Sequence, residues 1–436
     1  MSWNVIVRVG YLDQYTPDIP TNEPRIFTSI DNPGSPFLIK NNLLTEILDK
    51  AFIAPSSEVV DLLNLGIAIY TADLKIQRNL SEDRWTRDFI IHIPVLNQDR
   101  WTQTLPHLEE MLNFLTGDSW QFRLRQRQQL DNWEGIGRNS SNVDTISLFS
   151  GGLDSLIGAI DLLEEGKDVA LVGHYGAGIT RSIQQLLLSK LQATYGKRIT
   201  PFLFYVQPPK RGSGKGEPSM RSRSILFLVL GTLVANLFPG QKPLVVAENG
   251  LISLNVPLTH SRIGSLSTRT THPHFLSLYQ KILSSLGLVT SIELPYKFFT
   301  KGEMLANVKN KEVLESTANL SMSCSHPEAG RFRQGSPSNH CGYCVPCIIR
   351  RAALASVQLD NCMYSVDILK NPPAFDSKMG RDFRAFQMAI ERLQYAKPHS
   401  ALFNVLSSGP LPPDDVKNYA DVYLRGMEEV RHFFSL

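Results

Sequence analysis

Cysteine is scarce in this chain: five in 436 residues, four of them crowded between Cys324 and Cys347. So sparse and uneven a distribution excludes a disulfide framework and points to a reducing compartment and a metal site. Net charge is scarce too. The 44 Lys and Arg against 41 Asp and Glu leave +3, which makes no electrostatic case for direct nucleic-acid binding. No apolar run reaches the roughly 20 residues of a membrane span. The longest, Ile225 to Phe238, is interrupted by Gly231, Thr232 and Asn236 and suits a buried helix. Met1-Ser-Trp-Asn-Val-Ile-Val lacks a basic leader followed by an apolar core, so no signal peptide and a cytoplasmic location are expected. A Walker A loop is also missing. In Arg211-Gly-Ser-Gly-Lys-Gly216, Gly216 stands where Ser or Thr is required and Pro209 where the first glycine is required, leaving a basic loop.

What is present allows two or three domains and a large core. The organising stretch is Thr145-Ile-Ser-Leu-Phe149 followed by Ser150-Gly151-Gly152-Leu153-Asp154-Ser155. An apolar strand runs into two glycines and then into an amphipathic helix, Leu156 to Glu165, closed by Gly166. A strand, a glycine turn and a helix in that order make an anion site. First-turn amides lack helical partners, the dipole is positive at that end, and glycines let a phosphate approach the backbone. Ser150 and Ser155 add hydroxyls, and Asp154 is expected to hold loop amides or a magnesium ion.

Residues 1–125 read as an α+β domain. Its elements are a strand at 3–10, helices at Leu43–Phe52 and Val59–Leu65, and Ile67–Leu74 as either a strand or more helix. A strand at Phe89–Val95 follows, placed at a sheet edge by Pro94, then a helix at Leu105–Leu115 and a strand at Trp120–Leu124. No catalytic constellation shows there, and partner docking is the expected role. Residues 126–142 read as a polar linker. From 143 to 320, strands at 145–149, 169–173, 201–206, 244–247 and 289–294 alternate with helices at 183–195, 226–237, 275–286 and 301–309. That alternation calls for an α/β fold with a parallel sheet, whose ligands sit at the carboxyl ends of the strands.

The loops at those ends carry His174, then Glu248 and Asn249, then a long segment with His260, Arg262, Arg269, Thr270, Thr271 and His272. Arginines and hydroxyls suit a carboxylate or a phosphate. Arg221 and Arg223 begin a helix, where the dipole disfavours cations, so a bound anion is their expected partner; Lys301 invites the same argument. Cys324, Cys341, Cys344 and Cys347 in residues 321–355 have the spacing of a closed four-cysteine zinc module. An iron–sulfur cluster is the alternative, since Cys-x2-Cys-x2-Cys also suits one. Cys362 reads as an apolar filler. Arg350 and Arg351 read as a solvated pair that would otherwise touch RNA. Residues 356–436 form a helical tail, with helices at Phe383–Tyr395 and Val416–Phe434.

Two motifs carry a family resemblance. Ser150-Gly-Gly-Leu-Asp-Ser155 resembles the PP-loop of the ATP pyrophosphatases, which share the adenine nucleotide alpha hydrolase-like fold. Ser323-Cys-Ser-His-Pro327 with His340-Cys-Gly-Tyr-Cys-Val-Pro-Cys-Ile-Ile-Arg-Arg-Ala352 narrows this to the QueC family, the 7-cyano-7-deazaguanine synthases of queuosine and 7-deazaguanine biosynthesis. The resemblance spans roughly residues 143–355. It implies ATP and Mg2+ at Phe149, Ser150, Gly151, Gly152, Leu153, Asp154 and Ser155, with His174, Arg221 and Arg223 nearby. It also implies Zn2+ on the four cysteines, and it leaves Glu248, Asn249, Arg262, Arg269, His272 and Lys301 for substrate and catalysis. The implied reaction adenylates the carboxylate of 7-carboxy-7-deazaguanine, releases pyrophosphate and passes the acyl group to an amine.

Ordinary members lack the first 140 residues and the tail, and their purine-reading loop is replaced here by 248–274. The enlarged form resembles the QueC-like component of bacterial anti-phage operons (Qat and a kind of CBASS). There the acceptor implied is a partner protein's amine instead of ammonia, with the partner docked by the N-terminal domain. A tRNA-thiolating PP-loop enzyme and a catalytically silent defence subunit are the alternatives.

Overall fold

The structure, a computed structural model, describes residues 2–127, 136, 143–176, 178–209, 216–259, 269–326, 340–374, 377–395 and 399–435. The chain begins with β1 (Ser2–Val9), β2 (Arg25–Ile30), β3 (Lys40–Asn41), α1 (Leu43–Leu48), α2 (Ser57–Lys75), β4 (Asp88–Val95), α3 (Gln98–Thr116) and β5 (Ser119–Gln126). Four of these strands form a sheet in the order β2-β1-β4-β5, every pair parallel. This half is therefore α/β, where the sequence reading gave α+β. Period-two alternation puts Val5, Val7, Phe89, Ile91, Ile93, Trp120 and Phe122 on the face that packs on helices. Phe89 stacks on Trp120 at 4.1 Å between ring centroids. Ile67–Leu74 continues α2, which is buried along most of its length.

The expectation of an edge strand at Phe89–Val95 is corrected: β4 lies between β1 and β5. Its pairing to β1 ends at His92, so Pro94 lies beyond that ladder and has only β5 beside it. The missing amide therefore breaks no interior pairing.

The second half runs β6 (Thr145–Leu148), α4 (Leu153–Glu164), β7 (Val169–Tyr175), α5 (Thr180–Tyr195), β8 (Ile199–Gln207), α6 (Arg223–Ala235), β9 (Leu244–Val245) and α7 (Gly250–Leu254). It continues with α8 (Pro273–Ser285), β10 (Ile292–Glu293), α9 (Lys301–Asn307) and α10 (Lys311–Thr317). Its sheet has the order β10-β9-β6-β7-β8-β3, parallel except that β3 joins antiparallel to β8. A strand from the first half thus completes the second sheet. Helices α4, α5, α9 and α10 cover one face; α6 and α8 cover the other.

On that other face the core does not stop. Helix α2 crosses α6 where Gly66 meets Val229, so closely that a Cβ on Gly66 would stand 2.6 Å from a Val229 methyl. Helix α3 packs on α8. One continuous hydrophobic cluster runs from Val5 and Trp120 through these four helices to Ile146 and Phe202. The tail holds α11 (Val345–Ser356), α12 (Arg381–Gln394), α13 (Ser400–Leu406) and α14 (Val416–Phe434), with a core of its own around Phe386, Tyr419 and Phe433. Among the described residues no helix is long and apolar enough to cross a membrane. The 126–142 linker and the basic run at 211–215 fall almost wholly outside the described residues.

Candidate functional site

Phe149 ends β6 fully buried, its amide donating to the Val172 carbonyl (2.7 Å) and its carbonyl accepting from Gln184 Nε2 (3.0 Å). The chain then turns through Gly151 at φ +85°, where an L side chain is strained and a Cβ would press on Gln184 at 3.3 Å. Gly152 is the N-cap of α4 and has no side chain to satisfy the first-turn amides. Ser150 Oγ accepts from the Gly152 amide (3.2 Å), and Ser155 Oγ donates to the Gly152 carbonyl (3.0 Å). The turn is held from outside as well. The Met322 amide donates to the Gly151 carbonyl (2.8 Å) and Ser323 Oγ accepts from the Leu153 amide (3.1 Å).

Asp154 does not hold loop amides. One carboxylate oxygen pairs with Lys301 Nζ; the other accepts from the Asn249 side chain (2.7 Å) and backbone amide (3.2 Å). Asn249 in turn caps α7 through the Ile252 amide (3.0 Å). One buried carboxylate thus ties together α4, the strand end after β9, and α9. Glu248 adjoins it at the pocket wall, partly open to solvent though ringed by protein atoms. Burial and the Asp154 charge push the Glu248 carboxyl well above its usual range. Burial alone would raise Asp154 too, but Lys301 and the hydrogen bonds from Glu248, Lys301 and Asn249 outweigh it and hold Asp154 at about 2. Of the two acids, Glu248 is therefore the one that holds its proton to higher pH.

Of these groups Glu248 borders a pocket of about 330 Å³ beyond the carboxyl ends of β6 and β9, while Asp154, Asn249 and Lys301 lie behind its wall. Its walls include Ser150, Ser155, Thr180, Phe227, Thr270, Thr271 and Met322; among the described residues Glu248 is its one carboxyl and Arg223 its one guanidinium. Arg223 donates to the His174 carbonyl (3.1 Å) and lies over the Phe227 ring (5.4 Å), and its Nε has no partner among the described residues. A cation half-sunk in an apolar wall, with no ion-pair partner among the described residues, favours an anionic ligand. A wider groove of about 950 Å³ lies between α9, α11, α12 and α14. Its arginines are already paired, Arg425 with Glu303 and Arg431 with Glu428.

Other residues singled out from the sequence stand away from this pocket. His174 is buried between Tyr70 and Phe227; burial, then Arg223, pushes its pKa down to about 3. Arg221 lies on Trp85 (4.8 Å) and donates to the Thr116 carbonyl (3.0 Å). Arg269 covers Phe114 (4.3 Å) and donates to its carbonyl. His272 caps α8. Its Nδ1 accepts from the His274 amide (3.2 Å), so Nε2 carries the proton and faces Ser408 Oγ at 3.1 Å. Arg262 and His260 lie outside the described residues. Arg350 is fully buried on Ser321 and Ala318, and Arg351 pairs with Asp367, so neither is the solvated pair expected.

The four cysteine sulfurs lie within 4.8 Å of one another and could hold a metal ion such as zinc. Tetrahedral ligands at roughly 2.3 Å from zinc stand about 3.8 Å apart, the separation of Cys341 and Cys347 (3.8 Å). The amides of His326, Cys341 and Cys344 point at sulfur (3.3–3.4 Å), the outer-shell pattern of thiolate sites. Four thiol ligands leave no open position, so the site suits structure and not chemistry. Cys324 also touches the pocket wall. Sequence reasoning missed Met322 and Ser323, which bind the glycine turn; their only signal was proximity to Cys324. Comparison with protein-family models and with curated proteins returns no match.

Proposed function

We propose that the chain is a PP-loop ATP-dependent ligase resembling the QueC family, which activates a carboxylate as its acyl-adenylate. The observation that carries this reading is the glycine turn, whose N-cap Gly152 offers α4 no side chain, opening into one pocket beside Arg223, which has no ion-pair partner among the described residues. The α4 amides and Arg223 would take the nucleotide phosphates. A substrate carboxylate oxygen attacks the α-phosphorus, the bond to the bridging oxygen breaks, and pyrophosphate leaves. An amine then attacks the acyl carbon, AMP departs, and the nitrogen gives up its proton. Lys301, neutralised by Asp154, keeps that carboxylate from repelling the phosphates. Both Asp154 oxygens are engaged, so magnesium would arrive with ATP; among the described pocket residues Glu248 is the carboxyl that could meet it, on giving up its proton.

By resemblance the carboxylate is 7-carboxy-7-deazaguanine, and the acceptor is ammonia or a partner protein's amine in anti-phage defence. Incubation with that acid and ATP should release pyrophosphate and AMP, and Asp154→Ala should abolish both. Release of ADP and phosphate instead would refute the class. Mass spectrometry of a co-expressed neighbouring protein, searched for an Asp154-dependent deazaguanine adduct, identifies the acceptor.

A further inference from the structure

Helix α14 comes from the far end of the chain, yet it reaches the segment that presents Lys301. Thr300 Oγ1 donates to Glu429 Oε1, and the Gly302 amide donates to Glu429 Oε2 (3.3 Å). Residue 302 has to be glycine for this approach, because a Cβ there would stand 2.5 Å from the carboxylate. Arg425, one turn earlier on α14, donates to the Phe298 carbonyl (2.8 Å) and to Glu303 (2.7 Å). Lys297 pairs with Asp415 just before α14 (2.9 Å). The turn from Lys297 to Glu303 is thus gripped at five residues by the tail, and Lys301 projects from it onto Asp154. Asp154 is the second residue of the helix that opens at the glycine turn.

We infer that Glu429 is a positioning residue of the ATP site, acting through the Thr300–Gly302 turn to fix Lys301 against Asp154. A carboxylate suits this place because it accepts a hydroxyl and an amide at once, at the start of α9 where partial positive charge gathers. Burial leaves its pKa raised overall, against the lowering by the Thr300 and Gly302 hydrogen bonds and, less, by the Lys301 charge. The helical tail is by this account part of the catalytic scaffold, not an appendage.

The inference rests on the proposed ligase reading for its kinetic arm, so the experiment has two arms on the full-length, metal-loaded protein. In the first, Glu429→Ala is expected to lower kcat for pyrophosphate release by about 10- to 100-fold, with Glu429→Gln recovering part of it because its one amide oxygen still accepts one of the two bonds. In a Lys301→Met background Glu429→Ala should add nothing further, since the two act in one line. Independent, multiplying losses would overturn the inference and leave the ligase reading intact. In the second arm, hydrogen exchange is followed in peptides covering 150–155 and 297–303. Glu429→Ala should speed exchange in both, whereas Glu428→Ala, whose partner is the exposed Arg431, should change neither. Faster exchange at 297–303 alone would overturn the inference, whatever the activity. Wild-type protein that releases no pyrophosphate but shows the coupled exchange would refute the ligase reading alone.

Discussion

At the scale of single residues the site is a problem in proton bookkeeping. Asp154 and Glu248 adjoin each other, with one lysine near enough to neutralise only one of them. Asp154 gains the lysine and is held at about 2, so its stabilisation is present above the ordinary aspartate range and is lost as pH falls toward 2. Glu248 has the opposite sign. Its folded pKa lies well above the ordinary 4.5, so the folded chain keeps a proton that the unfolded chain releases. Its contribution is full below the ordinary glutamate value and is lost as pH rises through the folded pKa. Glu248→Gln imitates the protonated form. Between pH 5 and pH 8 the wild-type melting temperature should fall relative to that of the variant, and two parallel curves would show that Glu248 titrates normally. These residues were legible because strand ends and glycine turns are local patterns. His272 misled for a reason also present locally: it precedes Pro273, and a polar residue before a proline at a helix start is a cap signature.

At the scale of elements, the longer helices of the second half were legible from their periodicity and most strands from their apolar runs, whereas the short α7 and α10 were not. The 244–247 and 289–294 strands shrank to two residues each, because only Leu244–Val245 and Ile292–Glu293 find ladder partners. No sequence pattern announces which backbone groups a neighbour will meet. The same long-range logic joins the cysteine module to the glycine turn. Residues 321–324 lead directly from the Gly151 and Leu153 contacts into the first sulfur ligand. Metal binding, through that short segment, should therefore order the turn as well as its own knuckle. Stripping the metal with a chelator should weaken nucleotide affinity and speed hydrogen exchange at 150–155. Ser323→Ala should reproduce part of this with the metal retained, costing about 1 kcal/mol for the lost acceptor of the Leu153 amide. If the stripped protein binds ATP as tightly as before, the module is independent of the turn.

At the scale of the whole molecule, a polar segment at 126–142 suggested two bodies joined by a linker, but the apolar residues on either side of it belong to one cluster. Helices α2 and α3 pack on their own sheet and on the second half at once. Their second apolar faces are visible only once α6 and α8 lie against them, which is a property of the assembled layers and not of any window of sequence. The β3 strand adds a backbone tie, and Asn42 adds side-chain bonds to Leu203 and Tyr205 across the same junction. Such an interface should make unfolding cooperative across both halves. The molecule supplies two probes for this: four of the five tryptophans (Trp3, Trp85, Trp101 and Trp120) lie in the first half, and the cysteine cluster lies in the second. In the cobalt-substituted protein, tryptophan fluorescence and thiolate–cobalt absorbance should lose their signals at one denaturant midpoint. Gly66→Ala, which drives a methyl into Val229, should move both midpoints down together by about 1–3 kcal/mol. Separate midpoints, or a shift in the fluorescence alone, would mean that the halves fold independently and that the shared core does not couple them.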